Sequence, residues 1–140
     1  MKKLISFDQA VQFSLLLLGL FILFHIAVIV GIVVFDFVPI DLIWGGRMES
    51  REQLLNFEFF SLMNMVLCFA VVFVRSEKIV IPALTKGSRT FCGILFVAFF
   101  FSSLGSALDD SAFQKLVALF TMLTSLLCLR LAIEPIRSEG

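Results

Sequence analysis

Four long apolar stretches alternate with short polar ones along the chain. They run from about Phe13 to Phe35, Leu54 to Val74, Phe91 to Leu108 and Phe113 to Ile133. Each approaches the roughly 20 residues with which a helix crosses about 30 Å of hydrocarbon. Backbone polar groups in lipid must be paired within their own segment, so these stretches are helices, and the alternating pattern of a barrel is absent. The pattern predicts an all-α fold: an integral membrane four-transmembrane-helix bundle, one domain over residues 1–140, with spans at 13–35, 51–74, 90–108 and 112–133.

The polar positions between the stretches mark their ends. Ser50 followed by Gln53 reads as a capping box opening the second helix near Arg51, and Ser111 followed by Gln114 repeats it for the fourth, which Pro135 ends. Pro39 and Gly45-Gly46 break the first connection, and Gly87-Ser88 precedes the third span. Asp8 to Gln12 is mixed, the kind of segment in which the first helix could begin at the interface. The first apolar run is about 23 residues, against 7–15 for a cleavable signal, and no small-residue cleavage pattern follows. It is expected to be an uncleaved first span.

Composition sharpens the class. The chain is 60% hydrophobic and 16% charged, with a mean hydropathy of +1.06, against about 45–50% and about 25% in soluble domains. Its partner is therefore the lipid bilayer. Eighteen Phe and no Tyr supply aromatic bulk without hydroxyls. Disorder and a disulfide scaffold are excluded, and so is nucleic-acid binding, because Lys+Arg and Asp+Glu stand at 11 each.

Charge placement predicts orientation. Lys2, Lys3, Arg75, Lys78, Lys86, Arg89, Arg130 and Arg137 fall on one side, and only Arg47, Arg51 and Lys115 on the other. The positive-inside rule puts both termini in the cytoplasm, in an inner membrane, with one orientation rather than a dual-topology dimer. Asp36, Asp41, Glu49, Glu52, Glu58, Asp109 and Asp110, seven of the eleven acids, gather at the outer side. They form either an acidic mouth that attracts a cation or amine, or simply the complement of excluded bases.

Polar residues inside spans are expensive and need a reason. Ser14, His25 and Asp36 are eleven residues apart, about three turns, and so share a face of the first helix. Glu58, Ser61, Asn64 and Cys68 form a stripe on the second, Ser102, Ser106 and Asp109 on the third, and Thr121, Thr124, Ser125 and Cys128 on the fourth. Four stripes imply a common interior. Glu58 lies about 6 Å below the outer interface, and His25 and Asn64 lie near the midplane. This predicts an outward-opening pocket with Glu58 as charge partner and His25 and Asn64 as floor. The plainer alternative makes the hydroxyls, Asn64 and His25 interhelical glue, and pairs Glu58 with Arg47 or Arg51.

The segment Pro39 to Arg47 is too apolar for a solvated loop. It is expected either as a lid carrying Trp44 and Arg47 over the bundle mouth or as an interfacial anchor with Trp44 at the headgroups. Ala27/Gly31 and Ser102/Ser106 are small-residue pairs suited to close packing.

Catalytic and metal motifs are missing. There is no GxSxG, HExxH, P-loop, GxGxxG or CxxC, and a single His offers little for a metal, so no catalytic residue, metal ligand or cofactor is assigned. Four helices around a carboxylate-lined pocket are similar in outline to the sterol-isomerase and sigma-2-receptor group, a likeness of fold carried by no motif. The leading expectation is a protein that binds or helps transport a small molecule, lipid or cation. A structural or accessory subunit of a larger membrane complex is the first alternative, and an intramembrane isomerase or hydrolase acting on a lipid through Glu58 and His25 is the second. The expected partners besides the bilayer are a small-molecule or lipid ligand and a second copy in a homo-oligomer or a larger membrane protein.

Overall fold

The computed structural model describes residues 5–79 and 81–136. Lys2, Lys3 and Arg137, counted above for orientation, lie outside the described residues. The chain forms helices α1 (Phe7–Val34), α2 (Arg51–Arg75), α3 (Pro82–Ala107) and α4 (Ala112–Ile133), with one 3₁₀ turn at Ile43–Gly46. All four are long and apolar enough to cross a membrane. Among the described residues there is no strand.

The helices run up-down-up-down in a ring. α1 packs most extensively on α2 and α3 on α4, and the ring is closed by α1 with α4 and α2 with α3. The start of α1 and the end of α4 therefore share one end of the bundle, where Arg130 Nε donates to the Ile5 carbonyl at 3.2 Å.

Two helices, α1 and α3, begin well before their expected spans. α1 opens at Phe7 through a complete capping box, in which Ser6 Oγ accepts from the Gln9 N–H and Gln9 accepts from the Ser6 N–H. α3 opens at Pro82, a favoured first helical position, so Gly87 and Ser88 lie inside the helix rather than before it. Lys86 and Arg89 hide these first two turns from a hydropathy reading. At α2, Ser50 Oγ accepts from the Gln53 N–H, but Gln53 Oε1 accepts from Glu49 rather than closing the box on Ser50. The box expected at Ser111 and Gln114 is not formed: Ser111 makes no cap bond, and its own N–H donates to Asp109 Oδ1.

Each helix buries a seam repeating at steps of three and four. On α2 the buried positions are Leu54, Glu58, Ser61, Cys68, Val72 and Arg75, with half-buried Met65 filling the gap. This is the 3.5-residue spacing of helices crossing at about 20°. The seams are rich in small and polar residues, whereas Phe13, Leu16, Phe60 and Phe101 are exposed on the outside. That inversion follows from the solvent, because lipid gives apolar side chains no drive inward and interhelical hydrogen bonds and close packing take over. Ser103 Oγ donates to the Ala118 carbonyl at 2.8 Å, and Ser125 Oγ to that of Phe96 at 2.9 Å, joining α3 to α4.

Arginines finish the helix ends. Arg51 Nη2 donates to the Ile32 carbonyl in the last turn of α1. Arg75 is fully buried and donates to the Leu131 and Glu134 carbonyls at the end of α4, with Glu77 beside it at 2.8 Å and the Phe7 ring 4.7 Å away. Arg89 Nε takes the Ala132 carbonyl. The carbonyls that a helix C-terminus leaves unpaired are thus supplied from neighbouring helices.

Candidate functional site

The polar site grows from the α2 seam. Glu58 sits one turn after Leu54, fully buried, and a lone carboxylate there would carry a severe desolvation penalty. Two donors relieve it. His25 Nδ1 on α1 lies 2.6 Å from Glu58 Oε2, and Trp44 Nε1 in the 3₁₀ turn donates to Glu58 Oε1 at 2.8 Å. Three elements therefore meet on one carboxylate. With Glu58 as carboxylate and the imidazole neutral, Nδ1 carries the proton toward Oε2 and Nε2 is left as an acceptor. Nε2 has no hydrogen-bond partner among the described residues. Phe24 stands edge-on to the His25 ring at 5.5 Å and Phe57 to the Trp44 ring at 5.9 Å.

Trp44 holds an unusual backbone. Its φ of +58° is left-handed, a genuine outlier for so bulky a residue and worth about 1–2 kcal/mol of strain. The packing around it resists relaxation: Ile43 and Met48 are buried with Ile32 and Leu54, and Val38 and Ile40 lie against them. Gly46, at φ +69°, follows. The Pro39 to Arg47 segment is thus packed on the bundle, and the Trp44 indole N–H turns inward to Glu58.

Beside this triad lies a cavity of about 300 Å³. His25, Glu58 and Trp44 form its polar wall, with Ser102 and Ser106 from α3 and Gln114 and Thr121 from α4, while Phe24, Phe99 and Phe113 are among its apolar lining. It reaches the surface where Leu20, Ser102 and Leu116 are exposed. The Thr121 hydroxyl already donates to the Val117 and Ala118 carbonyls, so toward the cavity it offers lone pairs.

The remaining sequence candidates fall elsewhere. Arg47 does not meet Glu58, whose oxygens are both taken; it is exposed, 3.9 Å from Asp109. Arg51 pairs with Asp36 at 3.6 Å, also not with Glu58. Asp36 leaves the His25 face because α1 ends at Val34 and Asp36 itself is left-handed at φ +52°, its side chain 81% exposed. Asp109 is mostly covered and accepts from Ser111. Ser61 is buried on the α2 seam but does not line the cavity. Asn64 is exposed, because a 3.5-residue seam passes through Met65 and leaves position 64 outside it.

Gln114, read from sequence as a capping residue, is instead buried and lines the cavity. The signal was its spacing, since Gln114, Ala118, Thr121, Ser125 and Cys128 fall on one seam of α4. Chemically the site offers one held proton between His25 and Glu58, an imidazole nitrogen facing the cavity side of the pair, and a mostly apolar chamber. No protein-family model, no curated protein and no solved structure matches this chain.

Proposed function

We propose that the protein binds a small amphiphile, an apolar molecule with one hydrogen-bonding end, inside the membrane. The observation that carries this reading is the fully buried Glu58, bonded on both oxygens and set in the polar wall of a mostly apolar cavity of about 300 Å³. Pockets of this kind take their affinity from apolar lining and their orientation from a few placed polar groups. The cavity buries the apolar body among Phe24, Phe99 and Phe113, and His25 Nε2 receives a hydroxyl or amine proton at the polar end. A bare cation fits less well, since neither Glu58 oxygen is open. The protein sits in an inner membrane with both termini cytoplasmic, as the charge bias indicates, and transport is the extension of this reading in which the bound molecule crosses from one leaflet to the other.

Trp44, the only tryptophan, is a built-in reporter. Purified protein in vesicles is titrated with a long-chain alcohol brominated along its chain, and Trp44 fluorescence is read. Saturable quenching is expected, weakened at least tenfold by His25→Ala and by Ser106→Phe, which fills the chamber. Quenching that rises linearly and ignores both substitutions would reflect bromine dissolved in the bilayer and would remove the binding reading.

A further inference from the structure

A second seam lies on α2, outside the one the bundle buries. Phe57, Phe60, Asn64 and Leu67 recur there at steps of three and four residues, the spacing of a helix that packs on a partner helix, and the row continues into half-buried Val71, which leans on the core. Phe60 and Leu67 are 69% and 62% exposed. Asn64 is exposed between them, outside the cavity and with no hydrogen-bond partner among the described residues.

Depth makes Asn64 informative. It stands beside the midpoint of the 25-residue α2, about 17–20 Å from either end at 1.5 Å per residue. A side chain of two carbons cannot reach the interface from there, so its amide faces hydrocarbon that can neither donate nor accept. Whatever covers it must present both a donor and an acceptor at the same depth. A second copy of this chain, inserted the same way, does so automatically, because the carboxamide carries both functions and is self-complementary about a two-fold axis.

We propose that the chain forms a parallel homodimer through α2, with the Asn64 amide paired to Asn64 of the partner subunit. The exposed Phe57, Phe60 and Leu67 interdigitate around that pair. A single polar residue at a core position of such a seam fixes register and favours two strands over higher assemblies.

The test is single-molecule photobleaching of dye-labelled full-length protein in phosphatidylcholine vesicles over a range of protein-to-lipid ratios. Two-step bleaching is expected to grow with density for the wild type. Asn64→Leu, which places an ordinary apolar residue in lipid, is expected to weaken the dimer about 3- to 30-fold. Asn64→Gln, which keeps donor and acceptor, is expected to stay within about threefold of wild type. Helix content by circular dichroism confirms that each variant is folded. A wild type that bleaches in single steps at every density overturns the proposal, and so does a dimer that Asn64→Leu leaves intact. Neither outcome bears on the cavity, in which Asn64 takes no part.

Discussion

At the scale of residues, the molecule turns on one carboxylate. Glu58 and His25 were legible as costly positions, since an acid and an imidazole inside spans demand partners. Their pairing was not legible, because it depends on where α1 and α2 meet rather than on any spacing within either. The pairing predicts strong coupling. Glu58→Ala removes the carboxylate that joins the Trp44 N–H and the His25 ring, and is expected to destabilise the bundle by about 2–4 kcal/mol. In a double-mutant cycle with His25→Ala, the two losses are expected to fall short of additivity by at least about 1 kcal/mol. Reversible unfolding in mixed micelles, followed by helical signal, measures both, and simple additivity would mean that the 2.6 Å contact contributes nothing. Trp44→Phe keeps a ring against Phe57 but deletes the donor to Glu58. Its expected loss is about 1 kcal/mol in the same assay, and an unchanged stability would place the indole nitrogen outside the network.

At the scale of elements, the four helices could be read from hydropathy, while their faces could be read only in part. Stripes drawn at three- and four-residue steps from a polar starting residue drift if one step is misassigned. On α2 the step from Ser61 leads to Asn64 when the packed seam runs through Met65, and on α3 Ser103 is buried on the seam while Ser102 and Ser106 line the cavity. Helix starts were missed where polar residues begin a helix, as at Pro82, since hydropathy registers only the lipid-crossing part. The caps give a graded prediction. Ser6 and Ser50 each accept from a backbone N–H three residues on, whereas Ser111 makes no cap bond. Ser6→Ala and Ser50→Ala are expected to destabilise by about 1 kcal/mol each, and Ser111→Ala by under about 0.3 kcal/mol. Equal losses at all three positions, in the micelle unfolding assay, would show that these hydroxyls do not act as caps.

At the scale of the whole molecule, the two ends of the bundle do different work. The end far from the termini holds the His25–Glu58–Trp44 network and the cavity, and the end with the termini is tied by arginines to helix carbonyls. Sequence reading assigned those arginines to orientation alone, because a count of charges on each side contains no acceptors. The structure adds a second role that separates from the first by geometry. Arg75 forks between the Leu131 and Glu134 carbonyls and Glu77, so α2 holds the last turn of α4. Lysine would keep the positive charge, and with it the contribution to topology, but a single ammonium on a flexible stem cannot reproduce the planar fork. Arg75→Lys is therefore expected to leave orientation unchanged and to destabilise by about 1–3 kcal/mol. Orientation is read from reporter fusions, with green fluorescent protein fluorescent and alkaline phosphatase inactive at the C-terminus in both wild type and variant. An active phosphatase at the wild-type C-terminus would reverse the proposed orientation and put the cavity in the inner half of the membrane. A variant as stable as wild type would reduce Arg75 to one charge among the eight that bias insertion, and the hold on α4 would then rest on Arg89 and Arg130.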